Sequence, residues 1–197
     1  EIRNCDWSSD VCSSDLFTKN VGSNYLAKVV KLGKVWNHPT ADRLSLTVVD
    51  NQTVIVGRDA KEGDVYIYFP LECAINKVLL SNINGFSDPN LNEDKTKKGF
   101  FNDKGRVRAV KLRGIVSEGY LMSLEQFRSF SRDELSIEDC IGKEFDTLEH
   151  SDGSSGLICE KYVPPQQYAK GPANQPKKDK TKRFDRMIPG QFHFHVD

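Results

Sequence analysis

Residues 35–70 read VWNHPTADRLSLTVVDNQTVIVGRDAKEGDVYIYFP, and they alternate β-prone runs with turn residues too quickly for helices. Leu44–Val49 is a strand rich in β-branched residues. Asp50-Asn51-Gln52 is a hairpin turn, and Thr53–Val56 is the returning strand, closed by Gly57. Ala60–Asp64 turns again through Gly63, and Val65–Phe69 is a strand that stops at Pro70. Upstream, Tyr25–Trp36 is apolar and β-prone. It ends at Asn37-His38-Pro39, because proline lacks an N–H for the ladder and restricts the residue before it. Four strands packed this closely leave no room for βαβ units.

The pattern resumes downstream. Arg106–Leu112 is a strand carrying basic residues, and Ile115–Met122 is a strand or its return. Asn76–Ser81 is a short helix and Leu124–Arg132 a helical turn. Asp139–Leu148 is expected to pack a terminal turn back on the strands. Asn82–Lys104 is polar, and an unstructured loop of that length is usually functional or mobile. The expected fold class is all-β with minor α, built on a five-stranded barrel like the oligonucleotide/oligosaccharide-binding (OB) fold. A two-sheet sandwich normally needs about seven strands.

Residues 6–16, DWSSDVCSSDL, have neither helical nor strand periodicity and repeat a Ser-Ser-Asp unit. They resemble a translated sequencing-adapter oligonucleotide, so residues 1–16 are expected to be artefactual and are set aside. Residues 17–150 then form the expected barrel domain. Residues 151–183 are an extended segment and a linker with four prolines (Pro164, Pro165, Pro172, Pro176) and a basic run. Such a composition buries too little apolar surface to fold alone. From Phe184 to Asp197 the sequence becomes aromatic and alternating again, which reads as the truncated start of a second, α+β domain.

The chain has 28 basic and 28 acidic residues. Setting aside residues 1–16 removes Arg3 against Glu1, Asp6, Asp10 and Asp15, and leaves a mildly basic remainder that admits nucleic acid as a partner. Cys73, Cys140 and Cys159 form no CxxC pair and sit in no zinc-type cluster, so they read as reduced thiols of a cytoplasmic protein. No run approaches the ~18–20 apolar residues of a membrane helix.

Basic residues cluster in two places. Arg106, Arg108, Lys111 and Arg113 lie on or beside one strand, where they are candidate phosphate contacts or simply a solvated face that blunts a sheet edge. Tyr120 nearby could offer a stacking face. Lys177, Lys178, Lys180, Lys182 and Arg183 could track a nucleic-acid backbone or form a solvated tether. His38-Pro39-Thr40-Ala41-Asp42-Arg43-Leu44 is a turn between strands, structural or in contact with RNA. His193 and His195 share one strand face but lack a third metal ligand. His150-Ser151-Asp152-Gly153 places histidine where covalent nucleotidyl transferases need lysine, so lysine chemistry is unavailable there. No catalytic residue, cofactor-binding residue or metal ligand is assigned.

HPTADRL followed by VIVGRDAKEGDVYIYFP resembles the tRNA-binding barrel domains of synthetase-associated proteins, which show His-Pro-x-Ala-Asp-x-Leu before their second strand. The span 24–197 more closely resembles the N-terminal part of a bacterial and phage RNA ligase family, typified by the Deinococcus ligase. The residues that carry this are Asn24–Val29, HPTADRL, Gly63-Asp64 with Tyr68-Phe69-Pro70, Gly105–Gly119 (GRVRAVKLRGIVSEG), and the end Phe192–Asp197. The resemblance implies an N-terminal OB barrel, a linker and an adenylyltransferase domain that seals RNA nicks with ATP and magnesium or manganese. The family's nucleophilic lysine motif would lie beyond Asp197. This chain is therefore expected to bind RNA, as a nicked duplex or tRNA-like form, without catalysis and without a cofactor of its own. The alternative is a free-standing tRNA- or RNA-binding OB module with no ligase activity. Oligomeric state is not readable from the sequence.

Overall fold

The computed structural model describes residues 17–20, 22–130, 137–150 and 154–164. The expectations for residues 1–16, the basic run 177–183, the truncated domain from 184 on, and Ser151–Gly153 lie outside them.

β1 (Phe17–Thr18) and β2 (Ala27–Lys31) precede β3 (Trp36–Asn37). The single strand expected over 25–36 is thus two strands, because the chain changes partner on the way. The break falls at Leu32, where Leu32 N–H donates to Asp64 O (2.8 Å) and Gly63 N–H donates to Leu32 O (2.8 Å). β4 (Leu44–Val49) and β5 (Gln52–Gly57) form the expected hairpin. Its turn residues Asp50 and Asn51 have φ of 48° and 65°, the pair of left-handed residues whose twist suits a two-residue hairpin.

β6 (Val65–Phe69), β7 (Cys73–Ile75) and α1 (Lys77–Asn82) follow. Asn76 caps α1, its side chain accepting from Val78 N–H (2.8 Å). A 3-10 turn spans Pro89–Leu91. The strand expected from Arg106 begins only at β8 (Val110–Leu112), while Arg106 forms an isolated bridge with Ala74. β9 (Ile115–Ser117) and β10 (Tyr120–Ser123) are separated at Gly119, whose φ is 119° and whose missing Cβ leaves room for the Tyr68 ring. α2 (Leu124–Arg128) starts at a capping box between Ser123 and Gln126.

After a 3-10 turn at Ile137–Cys140 come β11 (Glu144–Phe145), β12 (Thr147–Glu149), β13 (Ser155–Leu157) and β14 (Cys159–Lys161). The expected terminal turn at 139–148 therefore supplies two strands. Phe145 and Leu148, both fully buried, give it a reason to pair and not merely cap. The described residues through Tyr162 group as one compact unit.

The central sheet runs β10-β6-β2-β11, all antiparallel, and both its faces are covered. Strand alternation sorts its residues. Ala27, Val29, Ile67, Phe69 and Met122 point into a large core with Phe17, Phe127 and Phe145. Val30, Tyr68 and Leu121 point the other way, into a smaller core with Val49, Val54 and Val56 of the β3-β4-β5 sheet. Phe17 packs against Phe145 with tilted rings, 4.5 Å between centroids, closing the large core.

The strands of the expected five-stranded barrel do not form one continuous ladder. Among the described residues β5 meets the β9–β10 link through Glu118 N–H to Thr53 O (2.8 Å) and Ile55 N–H to Ser117 Oγ (3.0 Å). Beyond Ile55 no hydrogen bond joins β5 to β10 among the described residues. The long loop 82–104 is built rather than loose. Asn92 is fully buried, and its amide accepts from Phe86 N–H (2.9 Å) and donates to Phe86 O (3.0 Å) and Lys97 O (2.8 Å).

Candidate nucleic-acid interface

Two sequence motifs that are 74 residues apart meet at one spot. β8 and β9 form a hairpin with register Val110↔Ser117, Lys111↔Val116 and Leu112↔Ile115. Its two-residue tip, Arg113-Gly114, has φ of 45° and 96°. Glycine takes that backbone freely, whereas arginine does so at a cost of roughly 1 kcal/mol, so something else holds Arg113 there. The HPTADRL turn supplies it. His38 is buried, and its Nε2 lies 3.3 Å from Leu112 O while its Nδ1 accepts from Thr40 N–H (3.2 Å). With Nδ1 accepting, the proton belongs on Nε2, where it can be donated to Leu112 O. Thr40 Oγ1 donates to Arg113 O (3.4 Å), and Arg113 Nη1 donates to Thr40 O (3.2 Å). The histidine is a clamp on the hairpin.

The four basic residues of this segment separate into two kinds. Arg106 is engaged. Its Nη2 donates to Glu72 Oε1 at 2.6 Å, and its guanidinium lies 4.6 Å from the centroid of the Tyr162 ring. The Glu72 hydrogen bond is the main reason its pKa is raised above the usual arginine value. Arg106 thus differs from the other three candidate phosphate contacts: its charge already has a partner, and it ties Tyr162 to Glu72 in the turn before β7. Arg108, Lys111 and Arg113 are exposed, and among the described residues none of them forms an ion pair. Lys111 shares its face of the hairpin with Val116, which is 42% exposed.

Val110, Leu112 and Ser117, on the hairpin's other face, line a groove of about 460 Å³. Arg108, Asp59, Tyr66, Phe100, Tyr120 and Gln126 line it too. Burial, with Asp59 as the largest nearby charge, raises the Tyr66 hydroxyl's pKa. Burial alone raises that of Tyr120. Tyr120 packs edge-on to Phe101 at 4.9 Å and to Phe100 at 5.5 Å, so the stacking face expected of it is taken by neighbouring rings. Phe100, 54% exposed, presents the open aromatic face instead. Sequence reasoning missed this groove. Its residues come from five separated segments, and the one local signal was a Phe100-Phe101 pair in an otherwise polar loop.

Cys73, Cys140 and Cys159 are buried and unbridged. A hydrogen bond to Cys159, then burial, pushes the Cys73 thiol well above its usual pKa, which makes it an inert packing group. Among the described residues no group of three or more His, Cys, Asp or Glu is placed to hold a metal ion, and none of the helices is long and apolar enough to cross a membrane. The magnesium or manganese implied by the family resemblance fits no site among the described residues.

No protein-family model matches the sequence, and no curated protein matches it. Among solved structures, the chain is similar to the RNA ligase of Naegleria gruberi with pyrophosphate, at 18% identity and a TM-score of 0.42 over 72% of this chain and 36% of that one. A mutant of the same ligase with ATP and manganese gives 17% identity and a TM-score of 0.41 over the same shares. Another mutant, with AMP and manganese, gives 18% and 0.41 over 71% of this chain and 36% of that one. The chain thus spans about a third of the length of the ligase chains it matches.

Proposed function

We propose that this chain is the N-terminal RNA-binding part of an ATP-dependent RNA ligase. The observation that carries RNA binding is the set Arg108, Lys111 and Arg113. These are exposed cations without acidic partners among the described residues; Lys111 and Arg113 lie on a hairpin that His38 and Thr40 hold in place, and Arg108 just precedes it. Cations left free on a rigid support suit a phosphate backbone, because neutralising it releases counterions. The ligase half of the reading rests on the sequence resemblance across GRVRAVKLRGIVSEG and HPTADRL.

In this reading β2 and β3 together make the first strand, and β4, β5, β6 and β10 the other four, of an OB-like barrel left partly open between β5 and β10. Their pairing order supports it: β3 with β4, β4 with β5, β10 with β6, and β6 with β2. The RNA-binding unit runs through Tyr162, a basic linker extends to Arg183, and an adenylyltransferase domain starts at Phe184. The lysine nucleophile, ATP and the divalent metal belong to that later domain. Sequence beyond Asp197 is expected to carry a Lys-x-Asp/Glu-Gly or Lys-x-His-Gly motif, and an in-frame stop there would overturn the ligase half alone.

Replacing Arg108, Lys111 and Arg113 together by serine in the full chain is expected to weaken binding to a nicked RNA duplex about ten-fold or more at ~0.1 M salt, whatever its sequence. Fluorescence anisotropy with a labelled duplex reads the change. Unchanged affinity in the folded triple variant would remove this face as the binding surface.

A further inference from the structure

The groove beside the hairpin is unexplained by phosphate contacts alone. It opens past the point where Ile55 N–H meets Ser117 Oγ, with Val56 and Gly57 on one bank and Tyr120–Ser123 on the other. Its volume of about 460 Å³ lies within the usual range for small-ligand sites. Four features converge there. Phe100 offers a flat ring, 54% exposed, backed by Phe101 at 4.3 Å and Tyr120 at 5.5 Å. Such an aromatic stack cannot turn freely, so the outer face of Phe100 is pre-positioned. The Asp59 carboxylate makes no ion pair or hydrogen bond among the described residues and lies so close to Gly57 that a Cβ there would meet it at 2.5 Å. The Tyr120 hydroxyl has no hydrogen-bond partner among the described residues. Arg108 brings an unpaired guanidinium to the same groove, which lies on the hairpin face opposite Lys111.

A planar ring, a hydrogen-bond acceptor and a cation make a combination that a nucleotide satisfies at once. A peptide segment would use the apolar walls and leave the cation idle. We propose that this groove takes one unstacked nucleobase of the bound RNA, with Phe100 as the stacking face, Asp59 accepting from an exocyclic amine of the base, and Arg108 on its phosphate. This rests on the RNA-binding reading. It adds a preference to it: adenine, cytosine and guanine carry an exocyclic amine and uracil does not, so an unpaired uracil should bind worst.

The test uses the full chain and four RNA duplexes identical except for one unpaired nucleotide, A, C, G or U, with affinity read by fluorescence anisotropy. The unpaired uracil is expected to bind about five-fold more weakly than the others. Phe100→Ala is expected to cost about ten-fold with every base, in line with the loss of one base–aromatic stack. Asp59→Ala is expected to retain the affinity for uracil and abolish the preference against it. Thermal unfolding of each variant shows that it is folded. If Phe100→Ala binds like the parent while the triple serine variant binds weakly, the groove proposal is overturned and the RNA-binding reading survives. If all four bases bind equally in the parent chain, the role of Asp59 is overturned and the groove is left to a protein segment. Absence of RNA binding in the parent chain overturns both readings.

Discussion

Gly99→Ala is expected to lower the unfolding free energy by about 3 kcal/mol, read as a fall in the urea midpoint without a change in slope. A Cβ on Gly99 would overlap the carbonyl carbon and oxygen of Gly85. Both are backbone atoms that no rotamer change can move. The two segments are held at this distance by Gly99 N–H to Phe86 O (2.8 Å) and Phe101 N–H to Gly85 O (2.9 Å), with Phe86 and Phe101 paired as a parallel bridge. Relief would require breaking that crossing and withdrawing Phe86 and Phe101 from the large core, where each is 2% exposed. Gly33→Ala is the control. Nothing lies within 4 Å of its Cβ position, so it should be close to neutral.

Asn92→Ala should cost a comparable amount, about 3 kcal/mol, by a different route. Its amide satisfies Phe86 N–H, Phe86 O and Lys97 O at once, and the side chain is fully buried. Alanine would leave these backbone groups without that partner inside the loop. Asn92→Asp gives a sign check. The carboxylate would still accept from Phe86 N–H but would face two carbonyl oxygens, so the folded state would favour its protonated form. Its folded pKa would rise above the unfolded value of about 4. The damage should then be least below that pH and grow as pH rises through the folded pKa. Both Gly99 and Asn92 hold the loop that carries Phe100. Any surviving folded population of either variant should therefore also lose the Phe100-dependent part of its RNA affinity.

Much of the fold was legible because its strands are local. β4, β6 and the β4–β5 turn follow from β-branched runs and from Asp50-Asn51. What could not be read depended on partners far away in the chain. The division of the first strand into β2 and β3 follows from their different partners, β6 for β2 and β4 for β3. The strands β11 and β12 exist because Phe145 and Leu148 reach a core assembled from the whole unit. The loop 82–104 looked unstructured because Asn92, its internal tie, is indistinguishable in sequence from any polar loop residue.

The candidate site shows the same division. The basic segment was visible as a cluster, but its chemistry was not. Glu72, which pairs with Arg106 and sets it apart from the other three, is 34 residues away. His38 looked like an isolated turn residue until Leu112 O was placed against it. Asp59, Tyr66, Phe100 and Gln126 share a groove without sharing a motif.

The measurement that bears most directly on RNA binding is the salt dependence of affinity for a nicked RNA duplex, from about 50 to 300 mM monovalent salt, for the full chain and the triple serine variant. Three phosphate contacts should give a slope of log K against log salt of about −2 or steeper in the parent chain, and a slope shallower by about 2 in the variant. Binding whose salt slope is flat, or is the same in both chains, would contradict a role for Arg108, Lys111 and Arg113 on the phosphate backbone.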